Sequence, residues 1–89
     1  MAKVVASIKI FPSDVTVDLN LLKEKIEKSL PKYASVYKFA EEPVAFGLIA
    51  LIAHILLPEE TTGGLDEIEK ILKGMEEISE METLMVRRV

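Results

Sequence analysis

From residue 3 to 11 the chain alternates, with Val4, Ala6, Ile8 and Ile10 on one side and Val5, Ser7, Lys9 and Phe11 on the other. A period of two predicts a strand with one face in a core and the other partly wet, closed by Pro12-Ser13-Asp14. The period then lengthens. Leu19, Leu22, Ile26 and Leu30 recur at helical spacing behind Asp18, with Lys25 and Lys28 late and Pro31 as a stop. An acidic N-cap, cations at the negative end of the dipole and a terminating proline predict a helix over about 19–30. Residues 34–42 are short, mixed and rich in β-formers, which suits an edge strand.

The stretch around which the rest is organised is the apolar run from Val44 to Leu57, bracketed by Pro43 and Pro58. Its 14 residues fall short of the roughly 20 that span a hydrocarbon core as a helix. Both faces are apolar, so periodicity alone admits helix or strand. Val44, Ile49, Ile52 and Ile55, the Phe46-Gly47 step and the flanking prolines favour a central strand. Pro58 to Gly64 reads as a mobile polar loop. A second helix is predicted from Leu65, Ile68, Ile71, Leu72 and Met75, with Asp66, Glu67 and Glu69 early, Lys70 and Lys73 late, and Gly74 ending it. Residues 78–89 read as a last strand, with Leu84 and Val86 on one face and Met85 and Arg87 on the other.

The order strand, helix, strand, strand, helix, strand predicts an α+β fold of the ferredoxin-like βαββαβ type, a four-stranded antiparallel sheet with both helices on one face. Strands one and three are then central. If Ile49, Leu51, Ala53 and Ile55 face the helices, Phe46, Leu48, Ile52 and His54 turn to the open face. An apolar open face calls for a partner or for shielding by long side chains.

Length and composition narrow the function. The 89 residues predict one domain, 1–89, with no room for separate catalytic and regulatory units. With no cysteine there is no disulfide or thiolate metal site, and Met1-Ala2-Lys3-Val4-Val5 lacks the apolar core of a signal peptide. A cytoplasmic protein is expected, without membrane attachment. The net charge of −4 argues against direct nucleic-acid binding. Acids dominate from Glu59 to Glu82, whereas Arg87-Arg88-Val89 ends the sequence with two bases.

Candidate chemistry is sparse. One histidine, His54, excludes His-rich metal sites and paired-imidazole schemes. Glu76, Glu77, Glu80 and Glu82 straddle a loop and a strand, which separates them rather than gathering a metal or acid-base site. Gly63-Gly64 lacks the lysine and further glycines of a phosphate loop. No serine is recognisable with its base. The loop after the first strand has no arginine, against the acylphosphatase use of this fold. Phe11 ends the first strand and Phe46 opens the third, but Leu48, Ile49 and Ala50 follow where an RNA-binding sheet would need stacking rings. No enzyme activity, cofactor or metal is therefore expected.

Two features remain, the Pro43-Val44-Ala45-Phe46-Gly47 stretch and the basic end. Read alone, Phe46 is an aromatic packing at a strand start and Arg87-Arg88 a frayed basic tail. Together with Val4-Val5-Ala6-Ser7-Ile8-Lys9-Ile10, the acidic loop and Leu65-Asp66-Glu67-Ile68, they give a chain that resembles the guanine-nucleotide-exchange domain of translation elongation factor 1-beta, in its archaeal single-domain form. The resemblance implies binding to elongation factor 1-alpha, the GTPase that delivers aminoacyl-tRNA, and faster release of its GDP. It implies GTPase contacts at Phe46, Gly47, Arg87 and Arg88, with Arg88 in place of a penultimate lysine that reaches the magnesium and phosphate region. Arginine keeps the charge but presents a flat fork, so Arg87 could share the role. A monomer is expected. The alternative is a small ligand-binding or oligomerisation module that uses its open sheet face.

Overall fold

The computed structural model describes residues 2–59 and 63–89. Its elements run β1 (Lys3–Pro12), α1 (Leu19–Ser29), β2 (Ser35–Pro43), β3 (Ile49–Pro58), α2 (Gly64–Lys73) and β4 (Ile78–Arg88). The strands form one antiparallel sheet in the order β2-β3-β1-β4, the ferredoxin-like arrangement that the element order predicts. Local chemistry sets the helix bounds as expected. Asp18 Oδ1 accepts from the amides of Asn20 (2.9 Å) and Leu21 (3.2 Å) at the head of α1. The Gly74 amide donates to the carbonyls of Lys70 (3.1 Å) and Ile71 (3.2 Å) at the foot of α2. The polar loop predicted from Pro58 to Gly64 lies partly, at residues 60–62, outside the described residues.

One sheet face packs on both helices. Ala6, Ile8 and Ile10 of β1 pair with Ile55, Ala53 and Leu51 of β3, and these six join Leu22 and Ile26 of α1 and Ile68 and Leu72 of α2 in one buried cluster. Each fully buried aliphatic side chain contributes about 1.5–3 kcal/mol relative to exposure. Of the predicted helix-facing set Ile49, Leu51, Ala53 and Ile55, the last three lie in this cluster, while Ile49, at the start of β3, is only partly buried and lies outside it.

The run from Val44 to Leu57 is not one strand. β3 begins only at Ile49, and residues 44–48 form the tip of the β2–β3 hairpin. Phe46 and Leu48 consequently do not share the open face with Ile52 and His54. On that face Val5, Ser7 and Lys9 pair with Leu56, His54 and Ile52, and with Arg87, Met85 and Glu82 of β4. Long side chains cover much of it: Lys9 Nζ donates to Glu42 Oε2 at 2.6 Å and lies 5.4 Å from the Phe11 ring centroid. The outer strands depart from strict alternation. Tyr37 of β2 has no partner between Val36 and Lys38, and Ser79 and Leu84 of β4 are likewise unmatched. Met85 and Arg87 share one face as predicted, which proves to be the open one, but the extra residue at Leu84 puts Thr83, two positions before Met85, opposite Ile8 of the helix-packed face.

Candidate site for a protein partner

At one end of the sheet the β2–β3 hairpin closes through two bonds. The Val44 amide donates to the Leu48 carbonyl and the Leu48 amide to the Ala45 carbonyl, each at 2.9 Å. The two residues inside that turn, Phe46 and Gly47, have φ of 54° and 79°. Positive φ at both central positions is the type I′ pattern, which matches the twist of a hairpin and favours Asn, Asp or Gly at both. Glycine fills the second position; phenylalanine takes the first. Phe46 is fully exposed, at 100%, so the expectation of core packing is overturned. Its backbone is strained and its ring has no burial to offset the strain.

The β1–α1 loop supports this tip. A β-carbon at Gly47 would lie 4.0 Å from Val15 Cγ1, and Val15, Leu48 and Ile49 share a small cavity of about 70 Å³ with Pro12 and Asp14. Asp14 folds the loop by accepting at its carbonyl from the Val17 amide (3.2 Å), which leaves Val15 exposed beside Val44 and Phe46 in an apolar tip. Sequence reasoning missed Val15, a loop valine that carries no motif.

The basic residues lie at the other end. β4 runs to Arg88, which pairs with Val4, and the Val89 amide donates to the Lys3 carbonyl at 3.0 Å; the tail is held in the sheet, not frayed. Successive residues face opposite ways. Arg87 stands opposite Val5 on the open face, whereas Arg88 pairs with Glu59 beyond the end of β3. That ion pair is exposed, so breaking it costs on the order of 0–1 kcal/mol, and the guanidinium is available to a partner. β3, whose ten residues separate the two ends, spans roughly 30 Å of a molecule 42 Å long. Phe46 and Gly47 are thus not brought together with Arg87 and Arg88.

Between the ends, Ser7 Oγ lies 2.8 Å from His54 Nδ1, a pairing that sequence reasoning did not recognise. It lacks the makings of a nucleophile and base. Among the described residues no carboxylate is bonded to the imidazole, and burial, Lys38 and Arg87 all hold the His54 pKa below its ordinary 6.5, which weakens it as a base. Glu76 and Glu77 sit in the turn before β4, apart from Glu80 and Glu82 on the strand. Glu77 is taken by Lys25 at 2.9 Å, which lowers its pKa. Among the described residues no three His, Cys, Asp or Glu side chains gather to hold a metal, and no helix is long and apolar enough to cross a membrane. The exposed groups, Phe46 at the hairpin tip and Arg88 at the basic end, suit recognition by contact.

Comparison with known proteins bears on which contact. The sequence model of the EF-1 guanine nucleotide exchange domain matches residues 5–89. Elongation factor 1-beta of Staphylothermus marinus is 43% identical over 89 residues, covering 100% of this chain and 99% of that protein. Elongation factor 1-beta of Aeropyrum pernix is 42% identical with the same coverage. Among solved structures, the C-terminal domain of the MgtC protein from Mycobacterium tuberculosis superposes with a TM-score of 0.58 at 11% identity, covering 100% of this chain and 88% of that one; this likeness concerns the fold alone.

Proposed function

Because the chain belongs to the family of EF-1 guanine nucleotide exchange domains, with an exchange role in translation elongation, we infer that it promotes GDP release from elongation factor 1-alpha in the cytoplasm. It acts by binding, and no covalent bond is made or broken. The observation that carries this reading is Phe46, fully exposed and at positive φ on a hairpin tip. Strain of this kind persists where surrounding structure enforces it and function uses it. A phenylalanine presented on a tight turn, with Val15 and Val44 beside it, is an anchor for an apolar pocket on a partner.

At the far end Arg88 supplies the second element. A cation brought to the nucleotide site competes with Mg²⁺ for the phosphates and the metal's ligands, so metal and then nucleotide leave more readily. Arg88 suits this role better than Arg87, since it lies at the sheet end with only an exposed ion pair to give up, while Arg87 is directed to the open face. The factor and the nucleotide are then linked ligands of the GTPase: each weakens the other by the same factor. The separation of the two ends means that the GTPase is gripped along the length of the domain. On the open face Lys9–Glu42 and Ser7–His54 set polar pairs among the apolar residues, which supports a monomer acting alone.

The test is release of fluorescent GDP from elongation factor 1-alpha in Mg²⁺ and excess unlabelled nucleotide. Catalytic amounts of the protein should accelerate release; an unchanged rate with folded protein refutes the assignment.

A further inference from the structure

The open face holds a second concave site, remote from the hairpin tip and bordered toward the basic end by Arg87. All four strands build it. β3 supplies His54, β1 supplies Ser7 and Val5, β2 supplies Tyr37 and Lys38, and β4 supplies Met85 and Arg87, together lining a cavity of about 380 Å³. The pairing places Ser7 and Lys38 on either side of His54, with Met85 across from Ser7. The bulge at Tyr37 sets the alternation of β2 so that Lys38 stands beside the imidazole.

Positive charge gathers at this cavity in a protein that is acidic as a whole. Acids outnumber bases by 15 to 11, and Lys9, Lys23, Lys25 and Arg88 each have a carboxylate partner. Lys38 and Arg87 have none among the described residues, yet both face one histidine across one cavity. The carboxylates of the open face lie away from it: Glu42 is bonded to Lys9, Glu82 stands opposite Lys9 and Glu80 opposite Phe11. Two cations turned toward a shared concavity repel one another, and an anion between them removes that cost. The guanidinium offers a planar fork matched to phosphate oxygens, and the ammonium a point charge. Ser7 Oγ engages Nδ1 of the imidazole, so Nε2 is the ring nitrogen left to meet a bound oxygen, and it donates whenever it carries the proton, as it does in the imidazolium.

We propose that this cavity is an oxyanion site that takes a phosphate group, held by Lys38 and Arg87 with the His54 ring as a hydrogen-bond donor. The site is independent of the exchange reading, and its ligand is either the free ion or a phosphate monoester. Binding reverses the local field at His54. In the free protein burial, and after it the two cations, hold its pKa below 6.5; a dianion in the cavity favours the imidazolium and moves the pKa up.

His54 is the single histidine of the chain, so its ring resonances report this directly. The experiment follows them by NMR as a function of pH in chloride, inorganic phosphate and glycerol phosphate at matched ionic strength. The expected result is an upward shift of about one unit that saturates with phosphate concentration and is absent in chloride. Response to the free ion identifies inorganic phosphate as the ligand; response to glycerol phosphate alone identifies the monoester. Arg87→Gln and Lys38→Gln, each compared with its own chloride curve, should lose most of the shift, while Lys28→Gln on α1 should keep it. Superimposed titrations in all three salts overturn the site, as does a full shift in the Lys38→Gln/Arg87→Gln double variant. No GTPase is present in the assay, so failure leaves the exchange reading untouched.

Discussion

Replacing Phe46 by asparagine separates stability from function more sharply than any other change at the hairpin tip. The ring is fully exposed, so its removal forfeits no buried area in the free protein. The backbone term has the opposite sign. A non-glycine residue at φ 54° sits in the left-handed region, which costs roughly 1–2 kcal/mol for most side chains and less for asparagine. Relief of roughly 0.5–1 kcal/mol corresponds to a rise in Tm of roughly 2–8 °C for a domain of this size. On the GTPase the account reverses. Burying a phenylalanine in a pocket is worth about 1.5–3 kcal/mol, so Phe46→Asn should weaken binding by about ten- to a hundredfold. Thermal unfolding by circular dichroism gives the first quantity. The factor concentration needed for half-maximal GDP release gives the second. A lowered Tm would show that Phe46 makes contacts within its own chain, and an unaltered concentration dependence would remove it from the interface; either result refutes the reasoning.

Further predictions concern the core, the tail and one tyrosine. Ile8→Ala empties a fully buried central position and should cost about 2–5 kcal/mol, lowering Tm by about 10 °C or more; a smaller drop would mean that the sheet relaxes into the space. Arg88→Ala should slow GDP release at saturating factor at least about tenfold, while affinity for the nucleotide-free GTPase stays within about threefold because only an exposed ion pair is lost; an unchanged maximal rate removes Arg88 from the mechanism. Tyr33 donates to Glu67 Oε1 at 2.5 Å, and that bond, burial and the carboxylate charge push its pKa from 10.0 up to about 12. Glu67→Gln should return it toward 10.0 in an ultraviolet titration. Because the folded-state value is raised, the tie supports folding at pH below about 10 and is lost as pH climbs toward about 12; a wild-type tyrosine titration complete by pH 11 contradicts it.

The elements that the sequence discloses most clearly are those whose signals are local. Asp18 before Leu19, Pro31 after Leu30 and Gly74 after Lys73 mark helix ends by capping chemistry that needs no distant partner. The alternation of β1 gives its buried face for the same reason. The start of β3 was obscured because Val44, Ala45, Phe46 and Leu48 are as apolar as the strand that follows; the turn signal was present in Gly47 but half-disguised by phenylalanine where asparagine is easiest. Phe46 and Arg88 as proposed contacts came from family resemblance, since neither a fully exposed ring nor an arginine directed away from the open face follows from periodicity. Ser7 beside His54, and Lys38 with Arg87 across from it, depend on register between strands far apart in the chain. The unmatched residues Tyr37 and Leu84 altered that register in a way no alternation pattern encodes.

Those unmatched residues also bear on how the protein behaves in a crowd of its own copies. A sequence that is 49% hydrophobic, with two free strand edges, is at risk of growing by addition of strands from other molecules. At Tyr37 on one edge, and at Ser79 and Leu84 on the other, the backbone falls out of step with a regular ladder. An incoming strand would find its donors and acceptors mismatched after a few residues, and the local twist would carry it away from the sheet. Deleting Leu84 would restore an even edge, and fibril growth monitored by thioflavin fluorescence should begin at lower protein concentration in that variant than in the parent. The irregularities that unsettle the alternation pattern are thus the same ones that stop the sheet from templating its neighbours.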